Sequence, residues 1–362
     1  MIAAPAAVKH FLYTGGGTNA SRWEGVVPRD ATHVSIHPTI TIIPSWLFSE
    51  HPNIVELRCH EGVKKIEEWA FHQCPSLQRV IMPGVEVIET SAFCFCILLR
   101  YIECKRLKIV GRNAFYHCES LGSIDIPSVK LVFSNAFTNC YDMRDVTFGK
   151  DLDMIRKEAF AGCKSLERIT MPLKDGLFTS DDIFQACDNL KRVDLVEEEV
   201  LQETIATLLW DEWKDDLKAE FNSNSINHIL SNASAGLWPS PNVGQKVSAI
   251  RDWIARVLPK VIHYTVQHRE LVNAAAAAVQ LASPNDVVLS NVLPYVELPL
   301  YTFNERNTDD KISSSLFDIP TENEWIHFSD IYAYHASLEY VMNGDQDMAE
   351  VEVIVIDDSD DE

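Results

Sequence analysis

Apolar positions in the first two hundred residues recur as one phrase. It reads "AFHQCPSLQRVIMP" at 70–83, "AFYHCESLGSIDIP" at 114–127 and "AFAGCKSLERITMP" at 159–172. Looser copies are "AFCFCILLRYIEC", "AFTNCYDMRDVTF" and "IFQACDNLKRVDL", and a weaker first copy, "LFSEHPNIVELRC", has His51 where the others have Cys. The repeated Phe falls at 48, 71, 93, 115, 137, 160 and 184, at intervals of 22 to 24 residues. Each copy contains two patterns. Leu-x-x-Ile-x-Ile, as in Leu121, Ile124 and Ile126, ends in the alternation of a short half-buried strand. Ala-Phe-x-x-Cys, as in Ala114, Phe115 and Cys118, sets its apolar groups about one helical turn apart. Pro83, Pro127 and Pro172 follow the strands, where the chain must leave a hydrogen-bonded ladder.

A unit this small cannot bury both its faces alone. Stacking lets each strand pair in parallel with the next and threads the Phe side chains into one core. The pattern therefore predicts a solenoid. Its residues resemble the BspA-like leucine-rich repeats, whose phrase is matched here by Leu77, Val80, Met82, Pro83, Val85, Ile88, Ala92, Phe93 and Cys96. The resemblance covers about residues 30–196 in seven copies. It departs at the ends, where "THVSIHPTITIIPSWLF" looks like a capping half-repeat and Ile183 replaces Ala. The resemblance implies an α/β repeat solenoid with a parallel β-sheet that binds other macromolecules and has no chemistry of its own.

From about Glu197 the period changes. Leu201, Ile205, Leu208, Leu209, Trp213, Leu217 and Phe221 recur at helical spacing, predicting one amphipathic helix. A second stripe, Val247 to Leu258, should stop near Pro259, and "VIHYTVQHRELVNAAAAAVQLA" supplies a third helix. "SNASAGLWPSPNVG" at 231–244 reads as a loop, and "SPNDVVLSNVLPYVELP" closes the block. The chain thus divides into an N-terminal segment (1–29), the solenoid (30–196), an α-helical capping or docking region (197–303) and a largely disordered acidic tail (304–362).

Charge supports the last division. The net charge is −22, and the stretch from Glu305 onward has seventeen acidic residues against Arg306 and Lys311. Acidity belongs mainly to the tail and argues against a nucleic-acid partner, which requires a positive surface. The start, "MIAAPAAVKHFLY", lacks the basic and long apolar parts of a secretory signal. No apolar run reaches the length of a membrane-spanning helix. A cytoplasmic or nuclear protein is expected, with its nine cysteines reduced.

The residues recommend no enzyme, metal or cofactor. Cys74, Cys96, Cys118, Cys140, Cys163 and Cys187 form a column, but one thiol per repeat does not complete a tetrahedral set. Cys packs readily as a small hydrophobe, so the column reads as core. His33 and His37 lack a third ligand, and His263 and His268 read as ordinary helix residues. "TGGGTN" at 14–19 is neither a phosphate loop nor a dinucleotide fingerprint.

Recognition is expected on the outward side of the strands. Successive strands present Glu56, Arg79, Tyr101, Ser123, Asp145, Arg168 and Arg192 in one slot, and Arg58, Ile81, Glu103, Asp125, Thr147, Thr170 and Asp194 two residues on. Tyr101 beside Arg79 and Arg100 is a candidate hot spot, because Tyr and Arg dominate such centres. Lys191 adds to the basic end at Arg168 and Arg192. In the tail, Val353, Ile354, Val355 and Ile356 are followed by acids and Ser359. That order resembles the motifs that bind small ubiquitin-like modifiers. The leading expectation is a non-enzymatic protein–protein interaction scaffold. The alternatives are a surface or structural adhesive protein and the regulatory subunit of an enzyme.

Overall fold

The computed structural model describes residues 8–15, 27–222, 227, 230 and 245–282. The stretch 231–244 expected as a loop, the segment after 282 and the acidic tail expected to be disordered lie outside the described residues, as does most of the glycine-rich stretch at 14–19.

Two parallel ladders run the length of the repeats. The front ladder contains the longer strands. Its first part orders β1 (His10–Tyr13), β2 (His33–Ile36), β4 (Glu56–Arg58), β6 (Arg79–Ile81) and β8 (Tyr101–Glu103). Its second part orders β10 (Ser123–Ile126), β12 (Asp145–Phe148), β14 (Arg168–Met171) and β15 (Arg192–Leu195). The back ladder consists of two-residue strands: β3 (Ile42–Ile43), β5 (Lys65–Ile66), β7 (Val87–Ile88), β9 (Ile109–Val110), β11 (Leu131–Val132) and β13 (Met154–Ile155). It is continuous where the front ladder is interrupted between β8 and β10. Ser-Ile-Asp-Ile in β10 shows why these segments are strands: the isoleucines are buried and Ser123 and Asp125 exposed, as a period of two requires.

The Ala-Phe-x-x-Cys segment closes each coil. Its one-turn spacing is realised as tight turns, and the described residues of the repeats contain no α-helix. Two residues in each coil but the last adopt left-handed backbone, such as Trp69 and Gln73, Ser91 and Phe95, and Asn113 and His117. Asn tolerates that region better than most residues. The remaining strain is offset because the conformation aims backbone groups along the solenoid axis. The Phe93 N–H donates to the Ala114 carbonyl at 2.8 Å, Phe115 to Ala136 at 2.8 Å and Phe137 to Ala159 at 2.7 Å. A third row of inter-coil hydrogen bonds results.

The core is the Phe column. Phe48, Phe71, Phe93, Phe115, Phe137, Phe160 and Phe184 are all buried. Neighbouring rings stack nearly parallel from Phe71 to Phe160, with centroids 5.1–5.4 Å apart. Tyr13 meets Phe48 edge-on at 6.0 Å. That contact explains β1, which pairs with β2 one full period upstream. The sequence pattern starts the array at residue 30. The structure starts its pairing at His10, because Phe11 and Tyr13 supply too short an alternation to register as a strand by themselves.

The Cys column is core as well. Cys118 Sγ donates to the Phe93 carbonyl at 3.2 Å, and Cys74, Cys96, Cys140, Cys163 and Cys187 bond the equivalent carbonyl one coil back. His51 fills the slot in the first copy by bonding the Pro28 carbonyl through Nε2 at 2.9 Å. Burial pushes up the thiols of Cys96, Cys118, Cys140, Cys163 and Cys187, and outside the column those of Cys59 and Cys104 to about 12. Such thiols are poor nucleophiles near neutral pH. Among the described residues no group of three His, Cys, Asp or Glu is placed to hold a metal ion.

The described residues continue in the helices α1 (Glu198–Thr207), α2 (Asp211–Asn222) and α3 (Gln245–Ala282). The single helix expected over 201–221 is broken at Leu208, whose backbone is extended. The break buries Leu208 and turns Leu209 and Trp210 outward. His268 Nδ1 accepts the freed Leu209 N–H at 3.1 Å. The stop expected near Pro259 does not occur, and α3 runs through it. Proline in a helix interior costs ~3 kcal/mol. The stripe Val247, Ile250, Trp253, Ile254, Val257 and Val261 is buried on both sides of it. At roughly 1.5–3 kcal/mol per buried large side chain, that burial outweighs the lost bond.

The helices close the last coil. The Lys246 ammonium donates to the carbonyls of Cys187, Asp188 and Leu190 at 2.6, 3.0 and 3.0 Å. Asn227 Oδ1 accepts the Val193 N–H of edge strand β15 at 2.9 Å. Arg251 pairs with Asp181 at 2.7 Å. Trp213 stacks on Tyr264 and ties α2 to α3. Among the described residues no helix is long and apolar enough to cross a membrane.

Candidate interaction surface

The front ladder fixes which outward side chains are neighbours. Its register sets Glu56 beside Arg79 and Arg79 beside Tyr101. After the interruption it sets Ser123 beside Asp145, Asp145 beside Arg168 and Arg168 beside Arg192. Parallel strands repeat at about 4.8 Å, so each slot becomes a row of side chains at that spacing.

Most charges in these rows are engaged by their neighbours. The Arg79 guanidinium lies over the Tyr101 ring, 4.2 Å from its centroid, and 3.8 Å from a Glu56 carboxylate oxygen. The Tyr101 hydroxyl donates to Glu103 at 3.3 Å. Arg58 also pairs with Glu56. Farther along, Arg168 Nε donates to Asp145 at 2.8 Å and lies 3.9 Å from Asp194. Arg192 pairs with Asp194 at 2.6 Å, which holds its guanidinium above the ordinary arginine value. Asp125 pairs with Lys105, whose ammonium its hydrogen bond raises. The face is therefore a lattice of exposed ion pairs, each worth ~0–1 kcal/mol. It presents nearly fixed guanidinium and carboxylate edges.

Arg100 and Lys191 differ. Both are exposed and neither makes an ion pair among the described residues. They occupy the position just before each front strand, and Arg144 holds the same position between them. Arg144 is likewise exposed and makes no ion pair there. Hence the sequence-named residues fall into two groups: a stacked, self-paired group around Arg79–Tyr101 and Arg168–Arg192, and an unneutralised group at the entry to the strands.

Sequence reasoning passed over Ile97 and Leu98. They are 38% and 37% exposed, beside a Tyr101 that is 42% exposed. The signal was a comparison within the repeat. The same two positions are Pro75-Ser76, Glu119-Ser120, Lys164-Ser165 and Asp188-Asn189 in other copies. It also passed over an aromatic row on the turn side. There Trp46 stacks on Trp69 at 5.0 Å, and Phe95 stacks on His117 at 5.0 Å.

His33 and His37 are used locally, their Nδ1 atoms bonding Thr32 at 3.0 Å and Thr39 at 2.8 Å. The tail residues Val353, Ile354, Val355, Ile356 and Ser359 lie outside the described residues.

Coils of 22 to 24 residues with a parallel front strand, an Ala-Phe turn and a buried Cys define a repeat family. Residues 29–140 and 108–205 match the family model of the BspA type leucine rich repeat region, in six copies. This array is a BspA-type leucine-rich repeat. Solved structures that resemble it include a leucine-rich repeat protein from Bacteroides ovatus, 25% identical, with a TM-score of 0.42, covering 46% of each chain. Another is the T. pallidum leucine rich repeat protein, 26% identical, with a TM-score of 0.38, covering 44% of this chain and 76% of its own. The match thus spans just under half the length of the Bacteroides ovatus protein. No curated protein matches the chain. Leucine-rich repeat arrays are typically used for protein–protein interaction.

Proposed function

We propose that the protein is a non-enzymatic interaction scaffold that engages a protein partner through the outward face of its front strands. One observation carries the reading: the interior is consumed by packing while a registered row of Arg, Tyr and Asp side chains is held outside. Every Phe and Cys of the two columns is buried, whereas Arg79, Tyr101, Arg168 and Arg192 are exposed on adjacent strands. A row pre-ordered by stacking and ion pairs loses little side-chain entropy on binding. Tyr and Arg are the residue types that most often dominate binding energy. The helical block belongs to this reading as a cap, since Lys246 and Asn227 occupy hydrogen-bonding groups of the last coil. A reducing, intracellular compartment is part of the proposal, supported by nine buried free thiols.

The test is affinity purification with the full chain as bait, with and without substitutions on the face. Tyr101→Ala, and the reversal of Arg168 and Arg192 to Glu, should release the partner with the melting temperature held. If only helical-block substitutions release it, the array is a platform and the reading fails.

A further inference from the structure

We propose that the edge of the array around Gly122 docks a short acidic segment of a partner protein that also carries a large apolar side chain. The inference rests on the scaffold reading and assigns its partner a chemistry.

Arg100, Gly122 and Arg144 occupy the same position in three successive coils. The backbone bonds place them so: Arg100 N donates to the Gln78 carbonyl at 3.0 Å, Arg144 N to Gly122 at 2.7 Å and Glu167 N to Arg144 at 2.9 Å. Gly122 leaves a gap in this column. A Cβ added there would meet nothing within 4 Å. The arginines flanking the gap stand two coils apart, roughly 10 Å at the parallel-strand spacing. Several carboxylates of the neighbouring coils are already engaged. Asp145 is bonded by Arg168, Glu103 by Tyr101, Asp125 by Lys105 and Glu119 by His117. Asp142, two residues before Arg144, and Glu167, next after Arg144 in the column, are exposed, but neither comes within ion-pair distance of an arginine among the described residues. Arg100 and Arg144 therefore differ from Arg58, Arg79, Arg168 and Arg192, each of which has a carboxylate partner on the face.

The apolar part lies on the coil before the gap, where the Ile97 carbonyl accepts the Ser120 N–H at 3.1 Å. Ile97, Leu98 and Tyr101 are exposed together at the coil that precedes Gly122. The front ladder is interrupted at this boundary, between β8 and β10. Two arginines that make no ion pair, beside an open position and a local apolar cluster, are complementary to carboxylates beside an apolar anchor. In an extended peptide, residues two or three apart are roughly 7–10 Å apart. That separation matches the spacing of the two arginine positions along the ladder. Exposed ion pairs bring steering and specificity more than affinity, so the anchor on Ile97 and Leu98 supplies the larger share.

Selection of a random dodecapeptide library on phage against the full-length chain tests this. Enriched peptides should carry acids two or three residues apart next to a large apolar residue. Once synthesised and labelled, they should bind at least tenfold more weakly to Arg100→Glu/Arg144→Glu, measured by fluorescence anisotropy. Leu98→Ser should weaken them several-fold, and raised salt should weaken the wild-type complex. Melting temperatures of the variants report that the exposed substitutions leave the fold intact. Peptides that keep binding to Arg100→Glu/Arg144→Glu but lose Arg168→Glu/Arg192→Glu overturn the docking site and leave the scaffold reading standing. A selection that yields no peptide sensitive to either pair overturns both.

Discussion

The Cys118 thiol donates to the backbone carbonyl of Phe93, one coil earlier, at 3.2 Å. The thiol is thus both a filler of the core and a weak hydrogen-bond donor between coils. Read from sequence, the slot is purely apolar, and a hydroxyl placed there should be penalised. The carbonyl changes that expectation. Cys118→Ala removes the sulfur and the donor, at ~1–2 kcal/mol. Cys118→Ser keeps a donor within reach of the same carbonyl and should cost less. Urea melts of the two variants give the order. A serine variant less stable than the alanine variant would show that only apolar volume counts at this position.

His51 does the same work in the first copy with a different chemistry, and it titrates. Its Nε2 bonds the Pro28 carbonyl, and its pKa is held below 6.5, chiefly by burial. A folded-state pKa below the unfolded value means that the unfolded chain binds more protons in that range, so stability rises with pH. The contribution is complete above pH 6.5 and is lost as pH falls through the folded value. Protection factors at Ala31–Ile36, corrected for the intrinsic pH dependence of amide exchange, should therefore fall on acidification from pH 7.5 to 5. His51→Gln should flatten the profile. A profile unchanged by that substitution would assign the acid sensitivity elsewhere.

At the other end, Lys246 is the cation that three carbonyls of the last coil share. Burial depresses its pKa, so it bonds at a desolvation cost. Lys246→Met keeps most of the stem and removes the donors, leaving those carbonyls to water. Losing a hydrogen-bonded charged donor costs about 1.5–3 kcal/mol, and access of water to the freed carbonyls sets the lower end. The loss should appear as faster hydrogen exchange in β15, with exchange at β4 to β6 unchanged. Uniform acceleration along the array would mean that the cap and the coils unfold as one unit.

These residues also mark where the sequence was legible. The Phe column could be read directly, because a period of 22 to 24 admits one stacking and the alternation of Ser123 to Ile126 admits one strand. The turn was not legible, since Ala114, Phe115 and Cys118 have the same spacing in a helix as in a pair of tight turns. What decides is left-handed backbone at residues such as Gln73, Phe95 and Glu158, whose types do not announce it. Pro259 misled for a related reason. Its local cost is visible in one residue, while the burial of Val257 and Val261 that offsets it depends on the packing of α2 and the rest of the core against α3. On the outward face the slots of Arg79 and Tyr101 followed from the period. Their stacking, and the pairing of Arg168 with Asp145, depend on a register between coils that a single repeat does not contain. Ile97 and Leu98 were legible in principle, by comparing coils with each other instead of reading each for its core.

The tail extends the partner question beyond the described residues, and its test needs no fold. Val353, Ile354, Val355 and Ile356 form a β-branched run that favours extended backbone. Asp357, Asp358, Asp360, Asp361 and Glu362 follow around Ser359. A short apolar strand can add to the sheet edge of a partner while its acids meet a basic rim. A small ubiquitin-like modifier is the proposed partner of this segment. A labelled 345–362 peptide should bind the modifier, and replacing Val353, Ile354, Val355 and Ile356 by Ala should abolish binding. Phosphorylation of Ser359 adds about −1.5 to −2 of charge, so the phosphopeptide should bind more tightly, with a steeper salt dependence. Equal binding of the parent and tetra-alanine peptides would reduce the segment to an acidic tail whose charge alone is recognised, and no binding by either would remove the modifier from the list of partners.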